Sequence, residues 1–157
     1  MSIPRTRTIV RVIAILVTCL PMLWAQSADV AVVVNQKNAI ANVSLSDLRK
    51  MFAGDTHTWP DGIPVKLLIR APGAHEREVV LRLLHMSEDQ YERYWTAQAY
   101  RGEGTEPVIV FSNGMQKEGV MAIPGAIALI DAADVKPGVK ILKIDGKYPG
   151  EPGYPLH

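Results

Sequence analysis

The chain has 157 residues, with 17 Lys and Arg against 16 Asp and Glu, four His and one Cys. That length allows one domain with a real core and falls short of two lobes of ordinary size. A near-neutral balance with no long basic run lacks the electrostatic footprint of a nucleic-acid binder, and a single cysteine excludes a disulfide framework.

Arg5, Arg7 and Arg11 precede an apolar run from Val12 to Leu20 and a small-residue stretch from Ala25 to Ala28. This is the pattern of a secretory signal peptide over residues 1–27, and it predicts cleavage after Ala25 or Ser27. The apolar run is too short to read as a membrane span. Cys19 falls inside the leader, so the exported protein is expected to be soluble, periplasmic and free of thiol chemistry. A lipid anchor on Cys19 is disfavoured by Thr18 before it and by the apolar Leu20 to Trp24 after it. Without the leader, 14 cationic residues face 16 acidic ones, a net charge of −2.

In chain order, Val30 to Val34 is a continuous β-branched run, as expected of a strand buried on both faces, and Asn35 to Asn42 reads as its exit loop. Ser44 or Ser46 caps a helix in which Leu45, Leu48, Met51 and Phe52 recur at helical spacing before a stop at Gly54. Trp59-Pro60-Asp61-Gly62 is a turn, and Val65 to Ile69 is a short strand that delivers Arg70 to its end. Glu76 to Met86 carries Val79, Val80, Leu83 and Leu84 at helical spacing. Ser87-Glu88-Asp89 restarts a helix holding Tyr91, Tyr94 and Trp95. Gly102-Glu103-Gly104 breaks it. Pro107 to Phe111 reads as a short strand or connector, and Ser112-Asn113 caps a helix through Met121. Pro124-Gly125 introduces Ala126 to Ile130, and Val139 to Ile144 alternates like an edge strand. Strands interleaved with helices predict one α/β domain over residues 28–144 with a small, mostly parallel sheet. Residues 145–157, DGKYPGEPGYPLH, are too rich in Pro and Gly for regular structure.

The order helix, Phe-x-Gly, Trp-x-Asp-Gly and strand within VSLSDLRKMFAGDTHTWPDGIPVKLLIR (43–70) resembles phosphate-type periplasmic solute-binding proteins. VMAIPGAIALIDAADV, ending at Val135, is similar to the segment in which a helix of that family runs into Pro-Gly-Ala-Ile-Gly-Tyr and a strand. Here Ala128-Leu129 stands in place of Gly-Tyr. The resemblance covers nearly all of the chain beyond the leader. It implies a single lobe of a type II periplasmic binding protein-like fold, with no counterpart for the other lobe.

The candidate site is Arg70 with Ala71-Pro72-Gly73-Ala74-His75. A strand end turning into a helix start offers free backbone N–H groups to an anion, and a guanidinium adds a permanently charged clamp. The competing reading pairs Arg70 with Glu76 or Glu78 and leaves Pro72-Gly73 as a plain turn. In the phosphate-binding relatives the corresponding loop ends Ser-Gly-Thr, whose hydroxyls bind ligand. Pro72-Gly73-Ala74 lacks them, so weak binding is expected. Ser112-Asn113-Gly114 is a second anion nest or an ordinary cap.

His57, His75 and His85 lack metal-ligand spacing, and no nucleophile elbow, Walker loop or dinucleotide fingerprint occurs, so neither an enzyme nor a cofactor is expected. Trp59, Tyr91, Tyr94 and Trp95 are expected to pack helices on the sheet. Two functions follow: a solute-binding-like protein holding phosphate or another small oxyanion for an ABC permease, or an envelope accessory module that has lost its ligand. A lone lobe leaves a face to be covered by a homodimer, by the tail or by another envelope protein. The tail has few apolar anchors to offset its ordering entropy, which favours the dimer slightly.

Overall fold

The computed structural model describes residues 28–103 and 106–157. The expected leader, with Cys19, lies outside the described residues, as does Gly104.

The elements are β1 (Val30–Asn35), β2 (Asn42–Val43), α1 (Leu45–Phe52), β3 (Lys66–Arg70), α2 (His75–Leu84), α3 (Glu88–Arg101), β4 (Val108–Val110), α4 (Asn113–Ala122), β5 (Ala126–Asp131), β6 (Val139–Ile141) and β7 (Lys143–Ile144). The main sheet has the order β4-β3-β5-β1-β6, and β2 pairs with β7 in a small second sheet. Strand β3 runs parallel to β4 and β5, whereas β1 is antiparallel to β5 and β6. Among the described residues, four strands of the main sheet therefore point one way and β1 alone is reversed. The mostly parallel sheet read from the sequence is present. The reversal of β1 was not legible there, because a strand buried on both faces has the same apolar run in either direction.

All of β1 is buried, and its alternation sorts the two cores. Val30, Val32 and Val34 face one layer with Leu48 and Phe52 of α1, Val79, Val80 and Leu83 of α2, Trp95 of α3, and Trp59. Ala31 and Val33 face the other with Ala126, Ala128 and Ile130 of β5 and Val120 of α4. The small residues on this second face let α4 approach closely. A Cβ at Gly119 would stand 2.7 Å from Leu68 Cδ1. The aromatic residues expected to pack the helices do so: Trp59, Tyr91 and Trp95 are buried, and Trp59 Nε1–H donates to the Gly125 carbonyl at 3.0 Å.

Three features depart from the sequence reading. The loop expected over Asn35–Asn42 ends in strand β2. The single edge strand expected over Val139–Ile144 is two strands split at the fully buried Leu142, whose N–H bonds the Val32 carbonyl at 2.9 Å. The tail, for which docking was the slightly less favoured expectation because its apolar anchors are few, is docked: Tyr154 and Leu156 are buried in the first core, and the Val30 N–H bonds the Leu156 carbonyl at 3.0 Å. Backbone pairing with β1 supplies what the short list of apolar side chains does not.

Candidate functional site

Strands β3, β4 and β5 end side by side, and the loops after them converge on Arg70. The register sets Arg70 beside Val110, and the Ala71 N–H bonds the Val110 carbonyl at 2.9 Å, so the chain leaves β3 held against β4. It then turns through Pro72 and Gly73, whose φ of 88° is a left-handed value that favours glycine. Ala74 takes the N-cap position of α2 with no side-chain cap. The helix start is thus presented with its positive end uncapped, as the sequence reading requires of an anion cradle.

The guanidinium beside it is already engaged. Arg70 Nη1 lies 3.4 Å from Glu76 Oε1 and also donates to Asn113 Oδ1, and Nη2 donates to the Phe111 carbonyl at 3.4 Å. Glu76 sits in the first turn of α2 and is only 3 % exposed. Its carboxylate faces Arg70 from the first turn of α2, so an oxyanion at that guanidinium competes with it. Arg70 Nε is buried without a hydrogen-bond partner.

Two further carboxylates border the cluster. His75 Nδ1 lies 2.7 Å from Asp131 Oδ1 at the end of β5, and Asn113 Nδ2–H donates to Asp134 Oδ2 at 2.9 Å. Glu76, Asp131 and Asp134 thus bring three carboxylates near the Arg70 guanidinium, and they oppose the approach of an added anion. Ser112 acts as a plain cap, its Oγ accepting the Met115 N–H at 3.1 Å. Of the residues singled out in the sequence, Arg70 and Asn113 meet in one network, and His75 pairs separately with Asp131. Gly73 and Ala74 shape the turn and the helix start, and Ser112 belongs to α4. Asp131 and Asp134 escaped sequence reasoning. His75 and Asp131 are 56 residues apart, and no local spacing connects them.

No protein-family model matches the sequence, and no curated protein matches it. Solved structures do. An ABC-type phosphate transport receptor from Vibrio cholerae aligns over 77 % of this chain with a TM-score of 0.62 and 19 % identity. A Clostridium perfringens protein solved with phosphate bound, and described as a phosphate ABC transporter substrate-binding protein, aligns over 75 % with a TM-score of 0.61 and 19 % identity. PstS from Borrelia burgdorferi aligns over 77 % with a TM-score of 0.58 and 16 % identity. The likeness at these identities is one of fold: the described residues form a single lobe of the periplasmic binding protein-like type. The chain spans about half the length of the structures it matches, at 45 %, 48 % and 49 % of theirs.

Proposed function

We propose that this chain is an exported, periplasmic solute-binding-type protein, related to the receptors of phosphate ABC transporters, that takes a small oxyanion weakly at Arg70 and the start of α2. The fold supports the general class. The observation that carries the site is the uncapped α2 start beside a guanidinium at a strand end. The protein works by binding alone, and an ABC permease is the partner that such a receptor serves.

Weakness follows from competition. An incoming phosphate has to displace Glu76 from Arg70 or share the cation with it, and Asp131 and Asp134 oppose its approach. An open lobe also leaves the ligand facing water, where salt screens the pairing. Calorimetry with phosphate and with sulfate is expected to give a Kd of about 1 mM, or about 4 kcal/mol. Glu76→Gln frees the cation and is expected to tighten binding about tenfold. Binding that is unchanged by both Glu76→Gln and Arg70→Ala would move the site elsewhere.

The same geometry supports a second reading. Glu76 competes for Arg70 so fully that the lobe serves as an envelope interaction module without a ligand. In that case neither the native protein nor Glu76→Gln binds phosphate or sulfate at all.

A further inference from the structure

Strand β4 is the outermost strand of the main sheet, and no described strand pairs with its far side. Its register fixes which backbone groups are free. The Ala71 N–H bonds the Val110 carbonyl, so Val108 and Val110 turn their N–H and C=O groups toward β3. The trans peptides between them then point the N–H and C=O of Ile109 and the N–H of Phe111 away from the sheet. A free edge of this kind is a template for another strand. The opposite edge strand, β6, carries Lys140, whereas the run from Pro107 to Ser112 carries no charge.

The side chains along this edge are apolar and uncovered. Val108 and Ile109 are 39 % and 41 % exposed, and Phe111 is 73 % exposed. Ile109 borders, with Pro72, Pro107 and Trp95, a cavity of about 330 Å³ on the α3 side of the strand. Val110 between them is buried, and continuing the alternation past it sets Phe111 on the same face as Ile109 and that cavity.

Two features select a second copy of this chain as the occupant. About a two-fold axis through Ile109, an antiparallel copy sets Ile109 against the partner's Ile109, and the two residues exchange both of their free backbone bonds. Phe111 then stands opposite the partner's Pro107. Proline has no N–H to offer, and the Phe111 carbonyl that such an N–H would need is already held by Arg70 Nη2 at 3.4 Å. The gap on one strand thus meets the gap on the other, a match that an unrelated strand would not reproduce. The same register brings each exposed Phe111 ring beside the partner's Pro107, at the mouth of the partner's cavity. Ring and cavity exchange under that one rotation, as an isologous contact requires. We propose that two copies of this chain pair antiparallel through β4 about Ile109, each Phe111 seated in the cavity of the other, so that the main sheets join into one.

Sedimentation velocity on the whole protein, over a concentration range up to about 500 µM, tests the pairing. A contact this short belongs to the small class of interfaces, and a dimer with a Kd of about 10–100 µM is expected. Ile109→Pro removes only the outward N–H and leaves the β3–β4 bonds in place, so it should weaken association at least about tenfold with an unchanged circular dichroism spectrum. Phe111→Ala, at a side chain that stands in solvent, should weaken it about as much without touching the core. Tyr148→Ala, at an exposed aromatic residue of the tail, is expected to leave association unchanged and so controls for general stickiness. The Ile109 amide should also exchange with deuterium more slowly in concentrated than in dilute solution. The proposal fails if the protein stays monomeric at about 500 µM, which would leave the edge to an extended segment of another protein, or if a dimer forms that neither Ile109→Pro nor Phe111→Ala weakens, which would place the contact on another face.

Discussion

The Tyr154 hydroxyl donates to the Val30 carbonyl at 2.8 Å, joining the end of the chain to its first strand across 124 residues. Tyr154 and Leu156 bury their side chains in the core shared by α1 and α2, and the Leu156 carbonyl accepts the Val30 N–H. Truncation after Ile144 removes both anchors and strips partners from β1. Burial of two such side chains stabilises by about 2 kcal/mol each, so the truncated protein is expected to lose about 4 kcal/mol. Urea denaturation followed by circular dichroism measures this, and an unchanged midpoint would show that the tail only rests on the surface.

Gly125 tests how closely the loop before β5 packs on the turn before β3. A Cβ there would overlap the Pro64 carbonyl oxygen, and the Lys66 N–H bonds the Gly125 carbonyl at 3.0 Å, so neither segment can withdraw without breaking the β3–β5 pairing. Gly125→Ala is expected to cost about 3 kcal/mol or more. At Gly119 the obstacle is the end of the Leu68 side chain rather than backbone, and the better helix propensity of alanine offsets about 1 kcal/mol of the crowding. Gly119→Ala should therefore melt well above Gly125→Ala in a thermal scan.

The parts legible in the sequence were those fixed by local chemistry. Ser44, one of the two candidates with Ser46, caps α1, and the helix restart read at Ser87 is present as a capping box with Gln90. The Val30 run, the strand ending at Arg70 and the α2 start were likewise readable from period and turn residues. Strand direction was not, since apolar runs carry no polarity. The split at Leu142 escaped although the consecutive apolar Ile141 and Leu142 break the alternation there, because one broken step still fits a single strand. At the site, Arg70 was visible as a cation at a strand end and Glu76 as its candidate partner. Asp131 and Asp134 were invisible because they come from the strand and loop that the sheet order β3-β5 sets beside Arg70.

Alkaline pH should weaken the fold through its buried phenols. Burial raises the Tyr91 pKa from 10.0 to about 12, with Arg77 opposing the rise, and burial raises Tyr154 as well, with Asp29 adding to it. Below pH 10 these tyrosines are neutral in the folded and the unfolded chain alike, so their contribution is fully present. Above pH 10 the unfolded chain ionises first, and stability falls as the pH climbs toward the folded value. For Tyr91 the loss is about 2 kcal/mol by pH 12. Denaturant titrations between pH 9 and 12 should show a shallower decline for Tyr91→Phe than for the native protein, and equal slopes would mean that Tyr91 ionises freely in the folded state.

The Arg70–Glu76 pair offers the last prediction, which concerns stability rather than binding. Both side chains are largely withdrawn from water, and Glu76 is the more enclosed. Removing the cation alone leaves a buried carboxylate whose compensation is reduced to the α2 helix dipole, so Arg70→Met is expected to cost about 3 kcal/mol. Glu76→Gln is expected to cost less, about 1 kcal/mol, because Arg70 keeps Asn113 and the Phe111 carbonyl. With both changes made, no charge is left stranded, and the double variant should be more stable than Arg70→Met by about 1–2 kcal/mol. Equilibrium unfolding of the four proteins closes the cycle. Strictly additive losses would mean that Arg70 and Glu76 do not interact, and Glu76 would then no longer explain weak anion binding at this site.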